Sequence, residues 1–260
     1  IPIRNGWPDT KECLDSIFKS NAELKVFLVD SGSTDATMVV ELAFPAIVHL
    51  YFERRLSFSE AINVGAEEAI KQGADKLLLL NNDTVVYAGA IKRMAEEFIA
   101  YSMIGMVAPR INYYGKEEIW SAGGSHYLPL GLTWHKSIRS IEPALSNFVD
   151  WGTGAALMIS KECWLDVGGM DEGLSWYDSD VDFCIRAGKR GWLVWYTSKA
   201  VVEHKIGKSS GSAWQMKEKI KGRLRLLVKH VSFWQLPMAI IGFGVQSLFR
   251  LLRLRYENRT

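Results

Sequence analysis

Along the first two thirds of the chain, short apolar runs alternate with segments whose apolar positions recur at helical spacing. Residues 8–20 place Leu14, Ile17 and Phe18 on one helical face, with acidic residues early. Residues 24–29 are apolar apart from Lys25 and end at Asp30, which predicts a strand. Residues 57–72 predict a helix that opens on a capping box, Ser57 with Glu60 three positions on, and stops at Gly73. Its apolar stripe is Phe58, Ile62, Gly65, Ala66 and Ala69. Residues 77–80 predict a buried strand ending at Asn81, residues 88–101 a helix, and residues 105–108 a strand. Further on come a strand at 155–160, a short helix at 180–189, and strands at 192–196 and 200–202. Residues 111–149 lack clear periodicity and read as irregular strands and loops.

Alternating strands and helices imply an α/β fold, a mostly parallel central sheet with helices on both faces. In such sheets the ligand crevice lies outside the carboxyl ends of the strands. Asp30 and Asn81-Asn82-Asp83 occupy two such ends, so they should converge on one crevice.

Composition adds two constraints. Apolar residues make up 48% and charged residues 23%, the mix of an ordinary globular protein, which excludes bulk disorder and coiled coil. Cys13, Cys163 and Cys184 stand far apart, so neither a zinc cluster nor a disulfide framework is expected, and a reducing, cytoplasmic compartment fits. The ten Trp residues suggest flat ligands such as sugars or bases.

Charge is distributed unevenly. Residues 205–260 carry 12 basic and 2 acidic side chains, whereas residues 1–204 carry 19 basic and 27 acidic. A basic tail on an acidic body points to an anionic partner, such as a membrane surface or a phosphorylated ligand. The tail has no recognisable nucleic-acid module, so no nucleic acid is expected. Residues 231–249 are uncharged and are followed by Arg250, Arg253 and Arg255. Gln235, Pro237, Gly242, Gly244 and Gln246 interrupt this run. Interfacial membrane contact, packing or oligomerisation, and a short span are its three readings. The domain reading is a body at 1–230, with halves 1–110 and 111–230, and a helical tail at 231–260.

Several polar clusters could carry chemistry. Asp30-Ser31-Gly32-Ser33-Thr34-Asp35 follows a strand; its carboxylate could accept hydrogen bonds from a base or ribose, or the segment is a plain turn capped at Ser33 or Thr34. Asp83 at a strand end could hold a hard divalent cation together with a diphosphate, or close a common Asn-Asp turn. Asp178, Asp180 and Asp182 alternate and must repel unless compensated. Asp178 reads as a helix cap and Asp182 as an i,i+4 partner of Arg186, leaving Asp180 as a candidate base at a helix start. His204 reads as a core histidine or, if paired in space with Asp83, as part of a metal site.

These segments, in this order and spacing, resemble glycosyltransferase family 2, with its GT-A fold, from Pro2 to about His230. The resemblance rests on Pro2-Ile3-Arg4-Asn5 with Cys13-Leu14, Val29 through Asp35, Arg55 through Phe58 with Asn63-Val64-Gly65, and Leu80-Asn81-Asn82-Asp83. It continues in Gly154-Ala155-Ala156, Val167 through Glu172, Ser179-Asp180-Val181-Asp182, Gly191, and Val202 with His204. The Asn-Asn-Asp form resembles the rhamnosyltransferase-like branch.

The resemblance implies an inverting transfer of a hexose or deoxyhexose from a nucleoside diphosphate of UDP or dTDP type to a glycan or lipid-linked acceptor. It implies a place in cell-envelope polysaccharide biosynthesis, at the cytoplasmic face of the membrane. Pro2, Asn5, Asp30, Ser33, Arg55, Asn82 and Asp83 would hold the nucleotide sugar. Asp83 and His204 would hold Mn2+ or Mg2+, and Asp180 would be the general base. Trp151, Trp176 and Tyr177 flank these motifs; they could stack on the acceptor sugar, although Trp is equally at home in a core. Residues 205–260 would meet an anionic membrane surface.

Three features depart from the family pattern: Arg55 and Ser57 replace Asn and Gly, Ser179 replaces Glu, and little of a first strand precedes Pro2. The Ser179 departure motivates an alternative, a nucleotide-sugar or glycan-binding module without turnover. A sugar-phosphate nucleotidyltransferase would need a phosphate loop richer than Arg4-Asn5-Gly6-Trp7.

Overall fold

Branched and aromatic residues draw the apolar runs into strands, and the polar segments between them cap helices. A computed structural model describes residues 1–20, 22–136, 145–206 and 213–257, the stretch 250–257 by its backbone alone. The first part of the chain runs β1 (Pro2–Ile3), α1 (Trp7–Phe18), β2 (Phe27–Ser31), a 3-10 turn (Ala36–Val39), α2 (Val40–Ala43) and β3 (Val48–Phe52). Then come α3 (Phe58–Lys71), β4 (Lys76–Leu80), β5 (Thr84–Val86), α4 (Ala90–Glu97) and β6 (Ile104–Tyr113). The middle holds β7 (Ile119–Ser121), β8 (Gly124–Tyr127), β9 (Leu132–His135) and β10 (Asn147–Val149). The chain continues through β11 (Ala156–Ser160), α5 (Lys161–Val167), α6 (Ser179–Gly188), β12 (Leu193–His204), α7 (Ala213–His230) and α8 (Leu236–Glu257).

The α/β class expected from the alternation is present, but the single, mostly parallel sheet is not: the parallel strands divide between two sheets, and most pairs in the larger one are antiparallel. β1, β2 and β3 form a parallel sheet. A second sheet runs β10-β12-β6-β11-β4, with β5 on β12 and β7 on β6. Its parallel pairing is β12 with β6; β11 lies antiparallel between β6 and β4. β1 is short and pairs with β2 alone, and an apolar cavity of about 440 Å3 lies between β2 and β4, lined by Val26, Ala66, Leu77 and Leu79 among others.

The capping box forms with both arms: Glu60 N–H donates to Ser57 Oγ, and Ser57 N–H donates to Glu60. Elsewhere the structure corrects the expected elements. β6 continues beyond 105–108 to Tyr113, and the runs at 192–196 and 200–202 are one strand, β12, interrupted by a register shift between Thr197 and Val201. β3, α5 and the helical form of α7 had no periodicity strong enough to predict them. The boundary at 110/111 falls inside β6, so the two halves share a strand. Of the irregular middle, 137–144 lies outside the described residues, as do 207–212 and 258–260 of the basic tail.

Candidate active site

Loop-to-loop contacts gather the carboxyl ends of the strands into one rim. Asn5, after β1, adopts a left-handed backbone with φ 59°. Its N–H donates to Ser33 Oγ at 2.7 Å, and its Oδ1 accepts from Thr34 N–H at 2.7 Å. A Cβ on Gly6 would lie 3.6 Å from Asn82 Nδ2, so this loop abuts the turn after β4. Asn82 donates to Thr10 Oγ1 on α1 at 3.0 Å. Across the β4–β11 ladder, Asn81 N–H donates to the Ala155 carbonyl, and the neighbouring Gly154 N–H donates to Asp180 at 2.9 Å.

Farther round, Ser59 binds the Leu174 and Ser175 carbonyls. The Arg55 guanidinium lies against the edge-on pair of rings of Trp176 and Trp214, at 4.6 and 4.8 Å from their centroids. Gly32 closes the circuit: a Cβ there would be 2.9 Å from the Glu53 carbonyl oxygen, and its φ of +74° suits only glycine. Asn5, Asn82, Asp83 and Asp180 therefore share a rim at the strand ends; Pro2 precedes it in β1, and Ser33 is fully buried with its Oγ accepting from Asn5 N–H, so it orders the loop from within.

Two expectations about this rim change. Asp30 is fully buried, accepting from Ser33 N–H at 2.8 Å and lying 3.4 Å from His49 Nε2, so it shapes the turn from within. Asp35, not Ser33 or Thr34, caps the following 3-10 turn through Thr37 N–H.

The sequence-predicted metal pair meets. β12 ends at His204 beside the β4–β5 turn, and His204 Nε2 is 3.1 Å from Asp83 Oδ1. Among the described residues no third His, Cys, Asp or Glu completes a cluster. One carboxylate and one imidazole suit Mn2+ or Mg2+ when a diphosphate and water supply the other ligands. His204 Nδ1 is buried without a hydrogen-bond partner, so no hydrogen bond at that nitrogen fixes the tautomer. Packing holds the ring instead: Trp120 lies edge-on at 4.9 Å, and Trp120, His135 and Trp151 continue the aromatic row. Trp120 and His135 lie in the aperiodic middle and carried no sequence signal. Trp151 is 4% exposed, with its indole N–H donated to the Ser125 carbonyl, so it supports this row and has no face for an acceptor sugar. Trp176 and Tyr177 are partly exposed at the rim.

The acid cluster is resolved by neighbours the sequence did not place. Asp178 precedes α6 with φ 62° and makes no capping bond, which corrects its expected role. Instead, Arg223 of α7 binds it through Nε and Nη2, each at 2.9 Å, and also reaches Gly131 O and Thr133 Oγ1. Asp182 is fully buried and pairs with Arg186, as the i,i+4 spacing predicts, and also with Lys229 and His230. Burial pushes the Asp182 carboxyl up, but His230, Lys229 and Arg186 outweigh it and hold the group at about 2.

Asp180 has no cationic partner in these contacts. Its oxygens accept from Gly154 and Val181 N–H, each at 2.9 Å. Burial raises its carboxyl above the ordinary value, against the opposing Gly154 N–H, and the Asp178 charge adds to the rise. A half-buried carboxylate with a raised pKa at the rim of a cleft is suited to accept a proton.

The rim, the Asp83–His204 pair and the strand topology define a GT-A glycosyltransferase. A profile match to Glycosyl transferase family 2 spans residues 1–160, and the chain belongs to that family. It is 27% identical over 263 positions to an N-acetylglucosaminyl-diphospho-decaprenol L-rhamnosyltransferase of Mycobacterium tuberculosis, covering 91% of this chain and 85% of the relative. It is 28% identical over 192 residues to the dTDP-rhamnosyl transferase RfbF of Shigella flexneri, covering 71% and 61%. Among solved structures, GalNAc-T7 with UDP, GalNAc and Mn2+ shares the fold with a TM-score of 0.69 and 16% identity, over 87% of this chain and 46% of that one. A mannosyltransferase of Pyrobaculum calidifontis in complex with GDP-Man and Mn2+ has a TM-score of 0.61 and 17% identity, over 95% and 73%.

Proposed function

We propose that this protein transfers a sugar, with inversion at the anomeric carbon, from a UDP- or dTDP-type nucleotide sugar to a hydroxyl of a glycan or lipid-linked acceptor at the cytoplasmic membrane face. The observation that carries the reading is the partition of the acid cluster: Asp178 and Asp182 are neutralised by α7 and Arg186, and Asp180 is left basic at the rim. The rhamnosyltransferase relatives favour a deoxyhexose such as rhamnose.

In this reading the loops at Pro2, Asn5 and Ser33 form the nucleotide side, ordered from within by Asp30. Asn82 and Asp83 meet the ribose and diphosphate. Arg55, held against the Trp176–Trp214 pair, presents its cation to the same cleft. Asp83 and His204 would hold Mn2+ or Mg2+, which supplies charge neutralisation for the leaving diphosphate. Asp180 takes the acceptor hydroxyl proton as that oxygen bonds to the anomeric carbon. The carbon–oxygen bond to the diphosphate breaks on the opposite face, and its electron pair leaves with the diphosphate. Trp176 and Tyr177 offer the acceptor sugar a partly exposed aromatic edge.

Calorimetric titration of UDP, dTDP and GDP, with and without Mn2+, tests the donor side. Metal-dependent binding of one nucleotide, lost in Asp83→Ala, is expected. Asp180→Asn should keep that binding and lose roughly 10²–10⁴-fold in turnover of the matching nucleotide sugar. Nucleotide binding with equally negligible turnover in wild type and Asp180→Asn would assign the binding module instead. No binding by a folded protein would overturn the donor site.

A further inference from the structure

α8 presents two apolar faces, and the body covers only one. Ala239, Gly242, Phe243 and Gln246 face the body: Ala239 is fully buried, Gly242 lies against the Leu130 carbonyl, and Gln246 donates to Thr133 O. Met238, Ile241, Val245, Leu248 and Phe249 recur at i, i+3, i+7, i+10 and i+11, so they share the opposite face. All five are exposed, Ile241 by 66% and Phe249 by 68%. Phe233 and Trp234, in the turn leading into α8, are more exposed still, at 77% and 87%.

α7 repeats the pattern with charge beside it. Met216, Ile220, Leu224 and Val228 form an exposed i,i+4 row. Lys217, Lys221 and Arg225 form the adjacent row, each one residue further along. The α7 row begins near Trp214, at the rim of the cleft, and runs toward the turn holding Phe233 and Trp234. No acidic residue occurs from 219 to 256, and Arg250, Arg253 and Arg255 continue the basic character beyond the apolar face of α8. Among the described residues no helix is long and apolar enough to cross a membrane. An uncovered apolar surface of this extent, bordered by cations, is complementary to a bilayer interface with anionic headgroups.

We propose that the uncovered faces of α7 and α8, with Phe233 and Trp234, are a docking surface for an anionic lipid bilayer. The apolar side chains enter the interface while Lys217 and Lys221 meet the headgroups; Arg225, next in the row, also pairs with Asp171. This goes beyond the transfer reaction, since it assigns the residues that bring the cleft to the bilayer, and it stands on exposure and charge alone.

The test is sedimentation of the full chain with vesicles of phosphatidylcholine, alone or mixed with phosphatidylglycerol. Wild-type protein should sediment with the mixed vesicles, less with the neutral ones, and less again at high salt. The triple variant Ile241→Ser/Val245→Ser/Leu248→Ser should bind mixed vesicles at least about tenfold more weakly, because apolar insertion is removed. Lys217→Glu/Lys221→Glu should weaken binding to the mixed vesicles only.

Nucleotide titration on the same samples reports folding and the donor site independently. If wild type binds nucleotide but neither vesicle, or if the triple variant sediments like wild type, the docking surface is wrong and the transfer reading stands. If vesicles bind but no nucleotide does, the transfer reading fails and the surface stands. A concentration-dependent dimer, seen by light scattering and abolished in the triple variant, would give the face to a second copy and overturn the proposal.

Discussion

Asp180 is separated from other carboxylates by one residue on each side, and the difference between them lies in their partners. Arg223 grips Asp178 with two hydrogen bonds, whereas Asp180 receives only backbone N–H groups. With a raised carboxyl, the acid limb of the kcat/KM profile should lie above the ordinary carboxylate range, activity falling as the pH drops through it. Arg223→Gln leaves the Asp178 charge uncompensated beside Asp180, so that limb should move to still higher pH while nucleotide affinity stays the same. An unchanged limb, with activity lost uniformly across pH, would make Arg223 only a structural tie. The sequence singled out Asp180 by elimination: it assigned Asp182 correctly to Arg186 but took Asp178 for a helix cap, since it could not supply Arg223, which lies 45 residues away from Asp178. The same holds for Asp30. Its position at a strand end was readable, but its burial under His49 depends on β3, which no pattern announced.

Between elements, α7 holds α6 at two points, Arg223 on Asp178 and the Lys229–His230 end on Asp182. The second point has a thermodynamic signature. Asp182 has a depressed folded carboxyl of about 2, so its stabilisation is complete above the unfolded value near 3.8 and is lost as pH falls toward 2. Its size is about 2 kcal/mol. Asp182→Asn strands buried cationic partners and should cost about 3 kcal/mol in denaturant unfolding at neutral pH, with a shallower loss of stability below pH 4.

α8 is attached differently, through main chain. A Cβ on Gly131 would meet the Ala239 carbonyl, and one on Gly242 the Leu130 carbonyl. Gly242→Ala should cost about 1–3 kcal/mol and speed hydrogen exchange in α8 before the body. α3 was legible because its cap, stripe and stop are local. The packing of α7 and α8 was not, because apolar side chains stand on both their covered and uncovered faces and polar ones such as Arg223 and Gln246 are covered, so only tertiary contact distinguishes the faces.

For the molecule as a whole, the order of motifs gave the α/β class and the convergence of strand ends, since loops at those ends can only meet on one side of the sheet. Asp83 and His204 were paired correctly across 121 residues for that reason. The aromatic row behind His204 was beyond reach, since Trp120 and His135 stand in a stretch without period. The charge imbalance between body and tail, with an anionic surface as its expected partner, was visible in the sequence, but which tail residues stay free to face that surface was not. Several tail cations are spent inside the protein, Lys205 on Asp9 and Glu12 and Arg223 on Asp178.

The seam between α8 and the body has a geometric consequence. Main chain close against main chain at Gly131 and Gly242 has no rotamers with which to adjust, so this seam restricts how α8 tilts on the β8–β9 connection. A molecule resting on a plane through α8 would carry its cleft at one height and one tilt above that plane. Acceptors would then be sorted by the length of the stalk that lifts their hydroxyl from the surface, as a ruler sorts, before any contact in the cleft discriminates among them.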